Sequence, residues 1–448
     1  MNLFHKTKFT SILTTTIVTI ALVLPLHQIP AKASENSRTF KVLSLNVAGL
    51  PAILSSSKPS SNTSLMSPLL NNYDVVSVQE DFAYHNDLIS KVTLPYLTPT
   101  SGNVPLGDGM NFMSRFPLYE TTRYKWKDSH GIISDGADQM TPKGILYSSM
   151  EIEPGYFVDI YDIHADADTD EASLEARRSN MEQLASLINE RSTGKAVIVI
   201  GDTNSRYTRA GDNFEDAVVK KCGLTDAWIQ LVRNGDVPKD GDAIMDSNNP
   251  NSANNEVVDK IFYRSGKNVN LIAKSYSLLD KEFTDSNGKQ LSDHYPITTT
   301  FEYSLNKETQ MTETFGGAGG TGFSFIEKMN NTFPNKVAIR SGSRLDSIAF
   351  TYNNVVAQVG GTGGSYKELV LGKNEYITSM ELSKAKKDLL GTNRISYIKL
   401  TTNLGHTLEG GTKGDTITFK APNGYSIAGL YGFADDEIDR LGAIYKSI

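Results

Sequence analysis

Ser292-Asp293-His294-Tyr295-Pro296, followed at once by the β-branched run 297–301, sets an acid and a histidine at the mouth of a strand. Upstream, the same association of polar residues with strand ends recurs. Val78-Gln79-Glu80 has an acid directly after an apolar strand, and Gly201-Asp202-Thr203-Asn204 places an acid and an amide two residues apart. Residues 40–46, 75–79, 156–163, 196–201, 257–263 and 297–301 are rich in β-branched or aromatic side chains and end in polar or glycine punctuation, which predicts strands. Residues 174–190 predict a helix: Leu174, Met181, Leu184 and Leu187 recur at helical spacing, while Arg177, Arg178 and Glu182 fall off that face and the arginines are expected in solvent. Strands alternating with helical segments from Thr39 to about Tyr303 are the signature of a layered α/β domain. Asn46, Glu80, His164, Asp202 and Asn204 lie at successive strand ends, and strand ends converge in layered folds, so distant residues can share one site.

These residue types suit a hard cation and phosphate chemistry. A carboxylate such as Glu80 supplies the charged oxygen that Mg²⁺ prefers, while the ion keeps waters and takes further ligands from a substrate phosphate. On extended backbone Asp202 and Asn204 would point the same way, because the side-chain period of a strand is two.

Taken in order, Leu45-Asn46-Val47, Val78-Gln79-Glu80, Ile163-His164, Gly201-Asp202-Thr203-Asn204, Val258-Asp259-Lys260-Ile261-Phe262 and Ser292-Asp293-His294-Tyr295-Pro296 resemble the endonuclease/exonuclease/phosphatase superfamily, which includes pancreatic-type deoxyribonuclease and neutral sphingomyelinases. The resemblance spans residues 40–303. It implies a four-layer α/β/β/α sandwich with its site at one edge of two packed sheets. It also implies that Glu80, helped by Asn46, binds Mg²⁺ as one or two ions. His294, polarised by Asp259, would take a proton from the attacking water. Asp202 and Asn204 would orient water and phosphate, His164 would hydrogen-bond a phosphoryl oxygen or assist the leaving group, and Asp293 would hold a second ion or tune His294.

Three substrate classes share such a scaffold. Inositol-polyphosphate phosphatases carry a Cys-Asp-Arg triplet where this chain has Val258-Asp259-Lys260, so that reading falls. Pro142-Lys143-Gly144-Ile145-Leu146 is similar to a Lys-Gly pair of sphingomyelinase-like members, in which Lys143 would meet a lipid phosphate; a solvated turn lysine is the alternative. Haemolytic bacterial sphingomyelinases carry aromatic residues on a bilayer-entering hairpin, whereas segment 276–290 is mostly polar and Phe283 is its one candidate wedge. The expected substrate is a phosphate ester, a membrane phospholipid head group first, with a secreted nuclease of the deoxyribonuclease type as the alternative. Nucleic acid is less favoured because the net charge is −7 and counterion release needs clustered Lys and Arg.

After a polar stretch, 304–312, read as a linker, the composition turns glycine-rich and the short strands 336–339, 347–350, 355–359, 377–382, 395–401 and 416–419 alternate with Gly, Asn and Asp turns, so this half is all-β. Gly-Gly pairs at Gly316, Gly360, Gly363 and Gly410 point to an internal repeat. Phe315-Gly316-Gly317-Ala318-Gly319-Gly320-Thr321-Gly322-Phe323, with Gly429-Leu430-Tyr431-Gly432 and Ile438-Asp439-Arg440-Leu441-Gly442, resembles jacalin-like lectins over 313–448. That implies a β-prism of three four-stranded sheets with a glycan site at one apex, formed by Gly316, Gly317, Asp435 and Asp439. Asp435 stands where many sugar-binding members carry glycine. A purely structural or protein-binding prism is the other reading, and for the whole chain a non-catalytic glycan-binding or toxin-like module is the rival to an enzyme.

A length of 448 residues suits two domains, and 39% apolar with 21% charged residues describes an ordinary globular interior. Lys6 and Lys8 ahead of the apolar run 12–26 and Ala31-Lys32-Ala33 read as a signal peptide over 1–33, so the catalytic domain is expected over 34–303 and the protein is expected to be secreted. The single cysteine, Cys222, excludes an intrachain disulfide and reads as a small core residue.

Overall fold

The first domain contributes strands β1 (Thr39–Asn46), β2 (Val75–Gln79), β3 (Tyr96–Leu97), β4 (Asn111–Ser114), β5 (Leu118–Lys125), β6 (Gly144–Glu153), β7 (Tyr156–His164), β8 (Ala196–Asp202), β9 (Thr225–Asp226), β10 (Asp259–Arg264), β11 (Val269–Leu278) and β12 (Ile297–Leu305). They form two six-stranded sheets, ordered β11-β12-β1-β2-β4-β3 and β5-β6-β7-β8-β10-β9. Each sheet is centred on a parallel pair, β1 with β2 and β7 with β8, flanked by an antiparallel strand, β12 against β1 and β10 against β8. The C-terminal ends of the parallel strands and the N-terminal ends of β10 and β12 therefore share one edge of the sandwich. The computed structural model describes residues 38–52, 58–104, 106–131, 142–242, 254–386 and 391–448, so the expected signal peptide lies outside the described residues.

The period of two explains how one edge becomes polar. Phe40, Val42, Val75, Val158, Ile160, Ile198, Ile200, Ile261 and Phe301 fill the space between the sheets. Continued at the same period, these columns reach Ser44 and Asn46 on β1, Ser77 and Gln79 on β2, Asp162 and His164 on β7, and Asp202 on β8, all of them buried. The inter-sheet layer thus grades from hydrocarbon into a polar end.

The outer faces carry the helices. Leu43, Leu45, Val76 and Val78 pack with Met66, Leu70 and Leu88 on one side, and Tyr161, Ile163, Val197 and Val199 pack with Met181, Leu184 and Ile188 on the other. The result is the expected α/β/β/α sandwich. The long helix runs Glu171–Arg191, and the Asp170 side chain caps it by accepting from the Ala172 and Ser173 amides. Arg177 departs from expectation: it is buried, ion-paired to Asp212 at 2.9 Å and bonded to the carbonyls of Asp166, Ala167 and Asp168, whereas Arg178 stays partly exposed. A guanidinium has enough donors to collect these acceptors where helix and loop meet. Phe283 is likewise no surface wedge. It is 1% exposed and stacks on Tyr73 with ring centroids 6.5 Å apart.

The C-terminal half is a three-sided prism. One sheet is Val355–Gly360, Leu345–Tyr352, Lys336–Ser341 and Ser365–Val370, in that order. A second pairs Thr407–Gly411, Asn393–Thr402, Ile377–Lys386 and Asp415–Lys420. The third is built from Thr309–Met311, Phe315–Gly316, Ile438–Ser447, Tyr425–Ala434 and Thr321–Ser324. A single bridge, Ile377 with Ile427, joins the second sheet to the third. Val337, Ile348, Phe350, Met380, Leu382, Ile398, Leu430 and Ile444 meet in the middle. Thr309–Met311, inside the stretch read as linker, is an edge strand of this prism.

The two domains meet through charged groups. Arg191, at the end of the long helix, lies 4.1 Å from the Tyr147 ring centroid and 4.5 Å from that of Phe433 in the prism. Glu120 pairs with both Arg191 and Arg440 at 3.3 Å. Tyr156 and Gly155, at the start of β7, sit beside the prism strand that contains Gln310 and Met311. The opposite end of β7 is His164, so the contact and the polar edge lie at opposite ends of the strands.

Candidate active site

At the polar edge, Asn46 ends β1 in register with Gln79, and His164 ends β7 in register with Asp202, which also pairs with Asp259. Asn46 Nδ2 donates to Glu80 Oε1 at 3.0 Å and lies 3.4 Å from Asp202 Oδ2, bridging acids that come from different sheets. The Asn46 oxygen accepts the Ala48 amide, so the amide faces the carboxylates with its donor. Glu80 itself sits at φ +57, and its backbone is held by Gly49, which donates to the Glu80 carbonyl at 3.1 Å. Gly109, at φ +67, packs so closely that a Cβ there would lie 3.0 Å from the Glu80 Cα and 2.7 Å from the Phe82 ring.

His294 Nδ1 lies 2.8 Å from Asp259 Oδ2, and its Nε2 lies 3.7 Å from Asp202 Oδ2. The turn that carries it is pinned by Ser292, whose hydroxyl donates to the Asn46 carbonyl at 2.7 Å and accepts the His294 amide at 3.1 Å. Burial pulls the His294 pKa down, but the Asp259 and Asp202 carboxylates outweigh it and hold the ring well above the usual histidine range. His164 is the opposite case. Burial, then the charges of Lys143 and His294, hold it well below that range, so it is neutral. Its Nε2 lies 3.6 Å from Asp202 and 3.9 Å from Glu80, while its buried Nδ1 has no hydrogen-bond partner among the described residues. The proton therefore belongs on Nε2, aimed at the acids.

Burial is the leading cause that raises the pKa of both Glu80 and Asp202, with Asn46 and His294 respectively the first opposing influences. Two carboxylates, Asp202 buried and Glu80 half-buried, that share one amide donor are costly as anions, and a hard divalent cation relieves that cost with the oxygens it prefers. Ligand atoms of Asp202, Asp259 and His294 lie within 4.8 Å of one another, but Asp259 is already engaged by His294. Glu80 and Asp202, joined through the Asn46 amide, are the two acids that a hard cation would serve.

The remaining expected residues divide. Lys143 is no solvated turn lysine: it is 9% exposed, donates to the Ala165 carbonyl at 3.3 Å, and its charge acts on both Glu80 and Asp202. Asn204 leaves the strand at φ +48, its amide nitrogen accepted by the Asp202 carboxylate and its side chain donating to Ala165. Extended backbone is therefore not what places it beside Asp202. Asp293 is exposed at the rim. Gln79, Asp162 and Trp126, which donates to the His164 carbonyl at 2.6 Å, are site neighbours that motif reading passes over. For Gln79 and Asp162 the available signal was a polar residue on the buried period of an apolar strand.

In the prism, Gly317 donates to the Asp439 carbonyl at 2.8 Å, and a Cβ on Gly319 or Gly320 would lie within 2.8 Å of the Asp439 carboxylate. The loop thus closes around Asp439. Asp435 is exposed and accepts the Thr321 amide at 3.1 Å.

A family model for Endonuclease/Exonuclease/phosphatase family 2 matches residues 62–246, and one for the Jacalin-like lectin domain matches 312–444. Sphingomyelinases of Mycobacterium bovis and Mycobacterium tuberculosis are 37% identical over 279 residues, 60% of this chain and 53% of theirs. The chain thus spans about half the length of these curated relatives. Among solved structures, a Staphylococcus aureus beta toxin variant with bound magnesium ions aligns at 20% identity and TM-score 0.40, covering 58% of this chain and 98% of that one. Malaysian banana lectin aligns at 28% identity and TM-score 0.27, covering 31% and 98%. The strand order above and the two matched families agree: the chain carries an endonuclease/exonuclease/phosphatase family domain followed by a jacalin-like lectin domain.

Proposed function

We propose that this protein is an exported, Mg²⁺-dependent phosphodiesterase of the sphingomyelinase kind, cleaving a phospholipid head group, with a prism that binds glycans. The observation that carries the reading is the line Asp259–His294–Asp202 set beside Glu80, at 2.8 Å and 3.7 Å. Identity of 37% to sphingomyelinases supports the substrate class. The basic residues ahead of the apolar run 12–26 support export.

Glu80 and Asp202 would hold the ion, with Asn46 fixing their spacing, and the bound charge would neutralise the phosphate and offset the carboxylates that keep His294 protonated. Asp259 accepts from His294 Nδ1–H and so leaves Nε2 to take the proton of a water that adds to phosphorus as the P–O bond to the lipid oxygen breaks, and that proton is then passed to the departing oxygen to give the alcohol. Neutral His164 donates its Nε2–H to a phosphoryl oxygen, and Lys143 supplies positive charge nearby. Positioning and charge neutralisation then carry the reaction, as phosphoryl transfer allows.

Purified protein with Mg²⁺, assayed against sphingomyelin vesicles and against plasmid DNA with and without chelator, tests this. Chelator-sensitive release of the lipid head group is expected. Cleavage of DNA alone would transfer the chain to the nuclease reading.

A further inference from the structure

Behind the site, one buried carboxylate lies against the chain neighbours of two of its residues and on the strand of a third. Asp162 is fully buried on β7, two residues before His164 and on the same face. Its Oδ1 accepts Gln79 Nε2 at 2.7 Å, across the gap between the two sheets, and Gln79 is the residue before Glu80. Gly201, the residue before Asp202, has φ +132, and a Cβ there would meet the Ile163 carbonyl at 2.2 Å and lie 3.0 Å from Asp162 Oδ1, so the glycine that the strand backbone requires also leaves this carboxyl its place.

The arrangement is expensive as architecture. Asp162 Oδ2 and Gln79 Oε1 are buried and accept no hydrogen bond among the described residues. Burial leads the causes that push the Asp162 carboxyl well above the usual range. Two apolar side chains at these positions would extend the hydrocarbon layer that Val75, Val158 and Ile160 already form. Polar groups kept at such a cost point to a role other than stability.

We propose that Asp162 is a positioning residue: its hydrogen bond to Gln79 ties the two sheets directly beneath the site and sets the separation of Glu80, Asp202 and His164. This rests on the reading of Glu80 and Asp202 as a Mg²⁺ site. Gln79 transmits the tie to Glu80, Gly201 transmits it to Asp202, and β7 itself carries it to His164.

The test compares Gln79→Met, which removes the donor at similar volume, with Asp162→Asn, which keeps the acceptor, in the full chain. Mg²⁺ affinity is read by calorimetry, and unfolding by denaturant. Gln79→Met should weaken Mg²⁺ binding at least tenfold with native or higher resistance to denaturant, and Asp162→Asn should stay within about twofold. A loss of denaturant resistance with unchanged Mg²⁺ affinity would reduce the pair to a structural contact and overturn the proposal. A native protein that binds no Mg²⁺ would overturn the cofactor reading instead. The tie is then judged by a crystal structure of Gln79→Met, in which unchanged separations among Glu80, Asp202 and His164 sink it and altered ones uphold it.

Discussion

Asp259 Oδ2 and His294 Nδ1 stand 2.8 Å apart although 35 residues separate them, because β10 and β12 both start at the edge where the parallel strands finish. Such a pair fixes one imidazole nitrogen as donor and frees the other for water. His294→Ala should lower turnover by about 10²–10⁴ with an unchanged circular dichroism spectrum, and Asp259→Asn by a comparable factor. Near-native turnover in His294→Ala would remove His294 from the reaction.

Cation binding should release protons. Burial raises Glu80 and Asp202 above the ordinary carboxylate range, and the neighbouring acids raise His294 above the histidine range. Raised carboxyls take up protons more readily than free ones, and an ion bound by Glu80 and Asp202 competes with those protons, so Mg²⁺ affinity should rise with pH. Calorimetric titration in buffers of different ionisation enthalpy measures the protons released; a flat affinity would show that these groups do not meet the ion.

Glu120 is the hinge pin of the domain contact. Burial alone would raise its pKa, but Lys195, Arg440, the Thr314 hydroxyl and Arg191 together lower it. Its side chain is 8% exposed and that of Arg191 is 6% exposed, so Glu120→Ala strands two guanidiniums without their partner. A loss of about 3–5 kcal/mol in urea unfolding is expected. A change below about 1 kcal/mol would class the pair with surface ion pairs.

The prism should carry its own acid sensitivity. The Gly372 amide, the Thr402 hydroxyl and His406 hold Glu375 at about 2, against 4.5 for an unperturbed carboxyl. A lowered folded pKa means that its contribution is complete above the unfolded value and fades as pH falls through the folded one. Denaturation midpoints of residues 38–448 should therefore fall between these two values, and Glu375→Gln should flatten that slope. An identical slope in the variant would assign it to other carboxylates.

Glycan binding should require the Asp439 carboxylate and leave the hydrolase untouched. Asp439→Asn is expected to lose at least tenfold in glycan-array signal while Mg²⁺-dependent turnover stays within twofold. Gly317→Ala is a poor substitute, since its Cβ would meet the Asn393 carbonyl at 1.6 Å and disturb the loop itself. Equal array signals for the native and Asp439→Asn proteins would leave the prism without a sugar site at this apex.

Most of the central strands were legible because their apolar runs are bounded by turn residues, and Asn46, Glu80, His164, Asp202, Asp259 and His294 were legible because each interrupts such a run at its end. Strands β4, β5, β6 and β11 were not read. Their residues mix polar and apolar types, and β5 in particular, Leu-Tyr-Glu-Thr-Thr-Arg-Tyr-Lys, is half-buried under the prism and not within a core. Arg177 escapes periodicity, which reports the apolar face of a helix but not the loop that covers the other face, and the burial of Phe283 against Tyr73 is a tertiary contact that its polar segment does not announce.

By itself, the sequence determined the two-domain order, the layered α/β class and the identity of the polar residues that close the strands, because local spacing and composition carry that information. Tertiary structure alone decided that Glu80 and Asp202 share the Asn46 amide, that His164 is neutral while His294 is charged, and that Asp162 reaches Gln79 across the sandwich. Those facts depend on the packing distance between two sheets and on the loss of water between them, and neither quantity is a property of any segment of chain taken alone.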